Sequence, residues 1–278
     1  TVLSTMLLEG WIGAALVAAA YVAGTILGSL VAGVSDQLAF GQLPALWGMA
    51  TIFWGMFATV AIAASGSFDR TAPAMAITVA LIMASYMIEG GPSRNFLRTK
   101  TMMYRDETMW RRLMGKLVDV LGSFGVMQAA AGARVIQVFD SWVGALGSDD
   151  YVRYVAPYSR ALIERIRTAS VPVIHFGTGA GAYFRELHAA GGDIMGVDWR
   201  VNIDQAWMDI SYRSAVQGNL DPAVLFAPIP ELRSRVHELL KRTGSRPGHI
   251  FNLGHGILPE TPVDHVKACV EIVREFKL

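Results

Sequence analysis

The sequence is poor in two kinds of residue that would otherwise constrain its function: cysteine and, over its first third, charged residues. Cys269 is the single cysteine among 278 residues, which excludes an internal disulfide framework and a metal site built from cysteine thiolates. The formal net charge is only +1, so the basic face that nucleic-acid binding requires cannot be assembled. Hydrophobic residues make up 53% of the chain, which excludes intrinsic disorder.

Charge is nearly absent from the first third. Residues 1–90 contain five charged side chains: Glu9, Asp36, Asp69, Arg70 and Glu89. Residues 10–35 and 37–68 carry none, and a helix of 26 residues would be about 39 Å long, against a hydrocarbon core of about 30 Å. These two runs predict transmembrane helices; the alternative is a helical hairpin buried in a large soluble protein. Residues 71–88 fit either a third span or the first strand of the following domain.

Basic residues predict the orientation of these spans. Arg70 is the only lysine or arginine before residue 94, whereas six follow within the next twenty residues: Arg94, Arg98, Lys100, Arg105, Arg111 and Arg112. By the positive-inside rule, the chain after about residue 90 is cytoplasmic. We therefore expect a membrane-associated protein with the lipid bilayer as one partner and a cytoplasmic C-terminal domain.

After residue 91, short apolar runs alternate with amphipathic stretches, which predicts strand–helix units and a parallel sheet. The predicted strands are Val135–Phe139, Val171–Phe176, Ile194–Val197, Ala215–Gln217 and His249–Asn252, with a sixth near residues 78–84. The predicted helices are Thr108–Leu121, Asp150–Arg167, Tyr183–Ala190, Ile203–Ile210, Ile229–Arg242 and Val263–Phe276. Glycine and polar residues follow each strand, as on the active-site face of a barrel. The predicted fold class is α/β: a partial TIM-like (β/α) barrel at 84–278, preceded by two or three apolar helices at 1–83.

A glycine-rich loop leaves a second interpretation open. Gly177, Gly179 and Gly181 follow a predicted strand, and Asp198 lies 21 residues after Gly177, near the place of the ribose-binding acid in a dinucleotide fold. Such a loop at a helix N-terminus would suit a dinucleotide or adenosyl-methionine. The spacing is G-x-G-x-G rather than G-x-G-x-x-G, however, so the barrel is favoured.

Six segments of the C-terminal part are distinctive: ASYMIEGGPSR (84–94), QVFDSW (137–142), PVIHFGTG (172–179), GVDWR (196–200), VQGNLDP (216–222) and FNLGHGILPETP (251–262). In sequence and in order they resemble uroporphyrinogen decarboxylase, the haem-pathway enzyme that removes carboxylates from the acetate side chains of uroporphyrinogen. The resemblance covers residues 84–278, about 70% of the chain. It implies a (β/α)₈ barrel, usually dimeric, with a cofactor-free cleft at the strand ends that binds the porphyrinogen.

The resemblance also implies the site residues. Carried over by motif, Tyr86 is the tyrosine of the ASYMIEGG segment, Ser141 the serine of FDSW and His255 the histidine of NLGHG. All three are expected to be catalytic and substrate-binding residues, because a phenol, a hydroxyl and an imidazole can hydrogen-bond carboxylates and move a proton. Each has a structural alternative: a packed or interfacial tyrosine for Tyr86, a turn-capping serine for Ser141 and a structural histidine for His255. His175 lies inside a predicted strand and is expected to be structural. No cofactor is expected.

No metal site is expected either. His188, His237 and His265 lie on predicted helices, with no metal-ligand spacing between them.

Two family segments have no counterpart in the sequence. One is FMRQAGR, which in the family supplies two arginines for the substrate carboxylates. The other is FSD, whose aspartate in the family faces the pyrrole N–H groups of the substrate. We therefore expect impaired activity. Some of Arg94, Arg98 and Arg200 could bind substrate carboxylates instead, although nothing in their spacing indicates it. The five or six predicted strands also fall short of eight, which would leave two sheet edges for a partner or the apolar segment to cover.

Two hypotheses of different classes follow. The first is a membrane-anchored, uroporphyrinogen decarboxylase-like carboxy-lyase of tetrapyrrole biosynthesis, which converts uroporphyrinogen III to coproporphyrinogen III. The second is a non-catalytic subunit of a larger membrane complex, in which the decarboxylase-derived domain packs against partners. A chimeric gene, whose apolar third belongs to another protein, is a third reading. A homodimer stays open under the first two.

Overall fold

Six parallel strands, each followed by at least one helix, form the part of the protein that the structure describes. The structure is a computed structural model, and it describes residues 75–79, 81–90, 93–244 and 246–277, which belong to a unit running from Pro73 to Leu278. The strands are β1 (Met75–Val79), β2 (Val135–Asp140), β3 (Val173–Gly177), β4 (Ile194–Gly196), β5 (Ala215–Leu220) and β6 (His249–Leu253). The helices are α1 (Leu81–Glu89), α2 (Leu97–Arg105), α3 (Glu107–Ala130), α4 (Ser148–Tyr154), α5 (Ala156–Arg167), α6 (Phe184–Ala189), α7 (Ile203–Asp209), α8 (Ile229–Arg242) and α9 (Val263–Glu275).

The order of the strands in the sheet follows their order in the chain, from β1 to β6. Every neighbouring pair is parallel; Ile136 lies opposite Val173, for example, and Val216 opposite His249. Within the described sheet this order does not reverse, whereas a doubly wound dinucleotide-binding sheet reverses its order at a switch point. The dinucleotide-fold interpretation of the Gly177–Gly181 loop is therefore wrong. The α/β architecture with a parallel sheet is confirmed, and it is consistent with a TIM-like barrel.

The central strands are buried because helices cover the sheet. Every residue of β3 is buried, as expected for a parallel strand with both faces covered. Large apolar side chains from the strands and helices form the core: Trp110, Met114, Ile136, Leu162, Ile166, Leu187, Met195 and Ile203. By contrast, β6 is an edge of the described sheet, and its Ile250 is 42% exposed.

Glycine lets helices α3 and α5 approach closely. A Cβ at Gly122 would lie 2.3 Å from Cδ of Arg165, and one at Gly125 would lie 2.8 Å from Cγ1 of Ile166. This packing of α3 against α5 explains why α3 continues to Ala130 rather than ending at Leu121 as predicted. The contact between the helices outweighs the low intrinsic helix propensity of glycine.

Proline divides another predicted helix. The stretch Asp150–Arg167 forms two helices, α4 and α5, that meet at Val155. Pro157 lies in the first turn of α5, where it lacks the N–H that would bond four residues back and its ring would clash with that carbonyl. The start of the second helix at this proline follows from those two effects.

Residues 71–88 contain a strand and the greater part of a helix rather than one continuous span. β1 pairs with β2, Met75 opposite Val135 and Val79 opposite Phe139, and α1 begins at Leu81. The strand predicted at 78–84 is thus wrong in its position. A short, continuously apolar run does not distinguish a strand from a helix by periodicity.

The two transmembrane helices predicted within residues 10–68 lie outside the described residues, and the division at residue 83 stays a prediction. Among the described residues, none of the helices combines the length and the apolar character needed to cross a membrane.

Candidate functional site

The three predicted site residues follow strands of one parallel sheet. Tyr86 lies on α1, after β1; Ser141 follows β2 directly; and His255 lies two residues after β6. Because the carboxyl ends of parallel strands lie at one edge of the sheet, the fold places all three on the same edge. This is the edge at which (β/α) barrels carry their active sites.

Tyr86 and Ser141 are brought together around Trp142. The centroid of the Tyr86 ring lies 4.8 Å from that of Trp142, and Phe96 contacts the same indole at 4.8 Å. Ser141 precedes Trp142 in the chain, so its hydroxyl belongs to the same loop. Tyr86 is 37% exposed, so it is an accessible phenol rather than a core tyrosine.

Three hydrogen bonds connect the helix of Tyr86 to the loop of Ser141 through α2. The Glu89 carboxylate, on the same helix, accepts hydrogen bonds from the backbone N–H and the hydroxyl of Thr99 on α2, each at 2.9 Å. The Lys100 ammonium in turn donates to the carbonyl of Ala145, in the loop after β2, at 2.6 Å. Helix α2 therefore links the helix of Tyr86 to the loop of Ser141.

His255 is held beside the loop that follows β4. Its ring lies 5.6 Å from that of Trp199, nearly perpendicular to it. The preceding residue, Gly254, touches the backbone of Trp199, and a Cβ there would lie only 2.3 Å from the Trp199 nitrogen. Glycine is required for this approach. Within the described part of the chain, the ring contact of His255 is with Trp199, and none joins it to Tyr86.

Asp198 organises the loop that carries Trp199. Its carboxylate is 2% exposed and accepts hydrogen bonds from the backbone N–H of Gly179 at 2.6 Å, the backbone N–H of Arg200 at 2.8 Å and the Arg200 guanidinium at 2.7 Å. Asn219, on β5, donates to the Asp198 carbonyl at 2.9 Å. Asp198, which the dinucleotide interpretation assigned to ribose binding, thus connects the loops after β3 and β4 through hydrogen bonds.

A buried, hydrogen-bonded aspartate–histidine pair lies beneath Ser141. Asp140 and His175 are both fully buried, with 2.9 Å between the Asp140 carboxylate and Nε2 of His175. The hydroxyl of Ser159 donates to the same carboxylate oxygen at 2.7 Å. Nδ1 of His175 lies 2.9 Å from the Gly191 carbonyl, which can only accept, so Nδ1 carries a proton. This arrangement agrees with a structural role for His175 and anchors the end of β2.

Burial shifts the pKa of several other titratable groups in the described residues. Burial, with the nearby Asp140 carboxylate, raises the pKa of Tyr151 and of Tyr183, which keeps both phenols protonated. Burial also lowers the pKa of His188 and of His249. In the residues that the structure describes, no cluster of three or more His, Cys, Asp or Glu side chains could hold a metal ion.

The segments that follow the strands contain more residues of the candidate site than the three predicted from the sequence. Trp142 and Trp199 were not predicted as site residues, although their rings contact Tyr86 and His255. Arg200, one of three arginines named as alternative carboxylate partners, packs on the Trp199 ring. A signal was present: two predicted strands are followed by an aspartate with a tryptophan next to it or two residues on. Which rings contact each other across different loops, however, could be known only from the fold.

The family follows from a comparison with known proteins. A family model described as uroporphyrinogen decarboxylase (URO-D) matches residues 56–276. The chain belongs to the uroporphyrinogen decarboxylase family. The resemblance inferred from the motifs is thereby confirmed. The family model matches from residue 56, whereas the segments recognised in the sequence begin at residue 84.

Individual relatives support the assignment. The chain is 81% identical over 195 residues to uroporphyrinogen decarboxylase of Solibacter usitatus (strain Ellin6076), and 50% identical over 195 residues to that of Koribacter versatilis (strain Ellin345). Each match covers 70% of this chain and 56% of the relative, so the chain spans little more than half the length of these relatives.

A solved structure shows the same fold. A methyltransferase from Methanosarcina mazei matches with a TM-score of 0.61 at 18% sequence identity, over 81% of this chain and 64% of that one. At this identity the likeness concerns the fold alone.

Proposed function

We propose that this protein is a carboxy-lyase that acts on uroporphyrinogen III, removing the carboxylates of its acetate side chains to give coproporphyrinogen III in tetrapyrrole (haem) biosynthesis. The observation that carries the proposal is the placement of Tyr86, Ser141 and His255 at one edge of a parallel sheet in a member of this family. Relatives at up to 81% identity are named uroporphyrinogen decarboxylase, which supports the reaction type.

The chemistry of the three side chains suits this reaction. Loss of CO₂ from an acetate group leaves an electron pair on the methylene carbon, which must take up a proton to become a methyl group. An exposed imidazole such as that of His255 can hydrogen-bond a carboxylate and hand over a proton. The hydroxyls of Tyr86 and Ser141 can each donate a hydrogen bond to a substrate carboxylate.

We expect turnover to be slower than in full-length relatives. The family segments FMRQAGR and FSD do not occur in the sequence. Bidentate arginines are the strongest partners for carboxylates, and a carboxylate facing the pyrroles would stabilise positive charge as it develops in the transition state. In a chain without these arginines and this carboxylate, we expect the decarboxylation rate to fall by orders of magnitude unless other side chains take over their interactions.

The test is product analysis. The purified chain is incubated anaerobically with uroporphyrinogen III, and the products are oxidised and separated by chromatography according to carboxylate number. We expect stepwise loss of carboxylates that falls at least about 10²-fold in His255→Ala, the scale of a lost acid–base group. His237→Ala is the matched control, because His237 lies on α8 with its ring against Phe276 and should keep the parent activity.

The absence of product at high protein concentration would refute the proposal. It would favour the non-catalytic subunit, the second hypothesis drawn from the sequence. Equal activity in His255→Ala and His237→Ala would instead refute the role of His255.

A further inference from the structure

Arg200 holds its guanidinium in a fixed place at the edge of the sheet that carries the candidate site. Its central carbon lies 3.5 Å from the centroid of the Trp199 ring, which is a cation–π contact. One of its terminal nitrogens donates to the Asp198 carboxylate at 2.7 Å. The two contacts fix both the plane and the direction of the group, so little side-chain freedom remains to be lost on binding a ligand.

Asp198 does not consume the hydrogen-bonding capacity of this guanidinium. The aspartate is buried and also accepts two backbone N–H groups, from Gly179 and from Arg200 itself. A guanidinium has five N–H donors, and within the described residues its only hydrogen-bond partner here is Asp198. The Arg200 side chain is 51% exposed, so the remaining donors are accessible to a ligand.

The same indole that supports Arg200 also contacts His255. Trp199 has its ring 5.6 Å from that of His255, and the backbone contact with Gly254 holds the two loops together. Arg200 and His255 therefore share Trp199 as a common support. The result is a guanidinium and an imidazole, both exposed, on adjoining loops of the same sheet edge.

We propose that Arg200 binds a carboxylate of the substrate next to His255. The proposal rests on the proposed function, which supplies a tetrapyrrole with eight carboxylates. A guanidinium matches a carboxylate through two parallel N–H···O bonds, and stacking on an indole leaves its edge free for this contact. Arg200 would thereby supply a carboxylate partner in a chain that lacks the FMRQAGR segment. Its contacts with Asp198 and Trp199 distinguish it from Arg94 and Arg98, the other two arginines that the sequence offered for this role.

Arg167 provides a matched control. It also pairs with an aspartate, Asp193, at 2.6 Å, and its side chain is 42% exposed. Asp193 accepts a backbone N–H as well, that of Val173 at the start of β3. The difference is the position: Arg167 lies at the end of α5 and beside the amino ends of β3 and β4, at the opposite edge of the sheet from His255.

The experiment measures binding of uroporphyrin III, the stable oxidised porphyrin, to the full chain by fluorescence anisotropy of the porphyrin. We expect Arg200→Met to raise the dissociation constant at least about tenfold, Arg200→Lys to raise it less because the charge remains, and Arg167→Met to leave it unchanged. The octamethyl ester of uroporphyrin, which has no carboxylate, should bind Arg200→Met and the parent protein equally. An unchanged dissociation constant for uroporphyrin III in Arg200→Met would overturn the proposal, as would equal losses in Arg200→Met and Arg167→Met.

A second measurement observes Arg200 in the parent protein itself. In the parent protein labelled with ¹⁵N-arginine, uroporphyrin III should shift the Nε resonance of Arg200, identified by its absence from Arg200→Lys. If this resonance stays in place at saturation, the proposal is wrong. Binding of uroporphyrin III without any turnover of uroporphyrinogen III would refute the proposed decarboxylase activity but not the role of Arg200 in binding. Failure of the parent protein both to bind uroporphyrin III and to turn over uroporphyrinogen III would refute both.

Discussion

Replacement of His175 by phenylalanine should strongly destabilise the fold, because it would leave the Asp140 carboxylate buried with a single donor. Both side chains are fully buried, their atoms are 2.9 Å apart, and after the replacement only the Ser159 hydroxyl would still bond the carboxylate. One oxygen of Asp140 has no hydrogen-bond partner already. Breaking such a buried pair by removal of one partner costs about 3–5 kcal/mol, so we expect a loss of that size in the free energy of unfolding.

The assay is urea unfolding at pH 7, followed by circular dichroism and tryptophan fluorescence. Asp140→Asn is the informative comparison, because an amide can donate to a neutral imidazole and keep the contact without a charge; we expect a loss of only about 1 kcal/mol. Asp140→Leu combined with His175→Phe should cost less than the sum of the two single replacements, since no lone charge remains buried.

An exposed ion pair serves as the reference for the stability loss expected of His175→Phe. Arg233 and Glu275 lie 3.0 Å apart but are both exposed, and Arg233→Met should cost less than about 1 kcal/mol. If His175→Phe costs no more than Arg233→Met, then the contact between His175 and the buried Asp140 side chain does not stabilise the fold and the reasoning fails.

Two further predictions concern the loops and the pH dependence. Gly254→Ala should destabilise the protein by about 1–3 kcal/mol and displace the loop of Trp199, because its Cβ would lie 2.3 Å from a backbone nitrogen; Gly256→Ala, whose Cβ would meet nothing within 4 Å, is the control, and equal unfolding midpoints for the two would contradict the geometry. Burial lowers the pKa of His249 in the folded state, against the opposing effect of its hydrogen bond to the Gly218 carbonyl. The unfolded chain then takes up a proton first as the pH falls, so stability is complete above the unfolded value of about 6.5 and declines below it. Urea midpoints at pH 7.5 and 5.5 should differ less in His249→Asn than in the parent protein. An unchanged difference would show that His249 does not cause the loss of stability at low pH.

The strand and helix pattern could be predicted where periodicity was clear. α8 was placed exactly at Ile229–Arg242, and the predicted strands at Val135, Ile194, Ala215 and His249 begin where the structure has them. The predictions were wrong where tertiary contacts set the boundaries. Glycines allowed α3 to continue against α5, and Pro157 started a new helix in the middle of a predicted one.

The candidate site was predictable as a set of residues but not as an arrangement. Motif order identified Tyr86, Ser141 and His255, and the fold places all three at the carboxyl ends of strands. Their roles stay predictions until the variants are measured. The neighbours that hold them, Trp142 and Trp199, could not be assigned from spacing, because each contact joins loops that follow different strands.

The sequence by itself determined the family, the alternation of strands with helices, and the near absence of charge before residue 90. These are local properties: each can be read within one segment, because burial on one face imposes a period on the residues of that segment. Only the tertiary structure decided that Asp198 binds back to Gly179, that Asp140 pairs with His175, and that Arg200 shares an indole with His255. Those contacts depend on strand order and register, which bring together side chains from separate loops and strands of the chain.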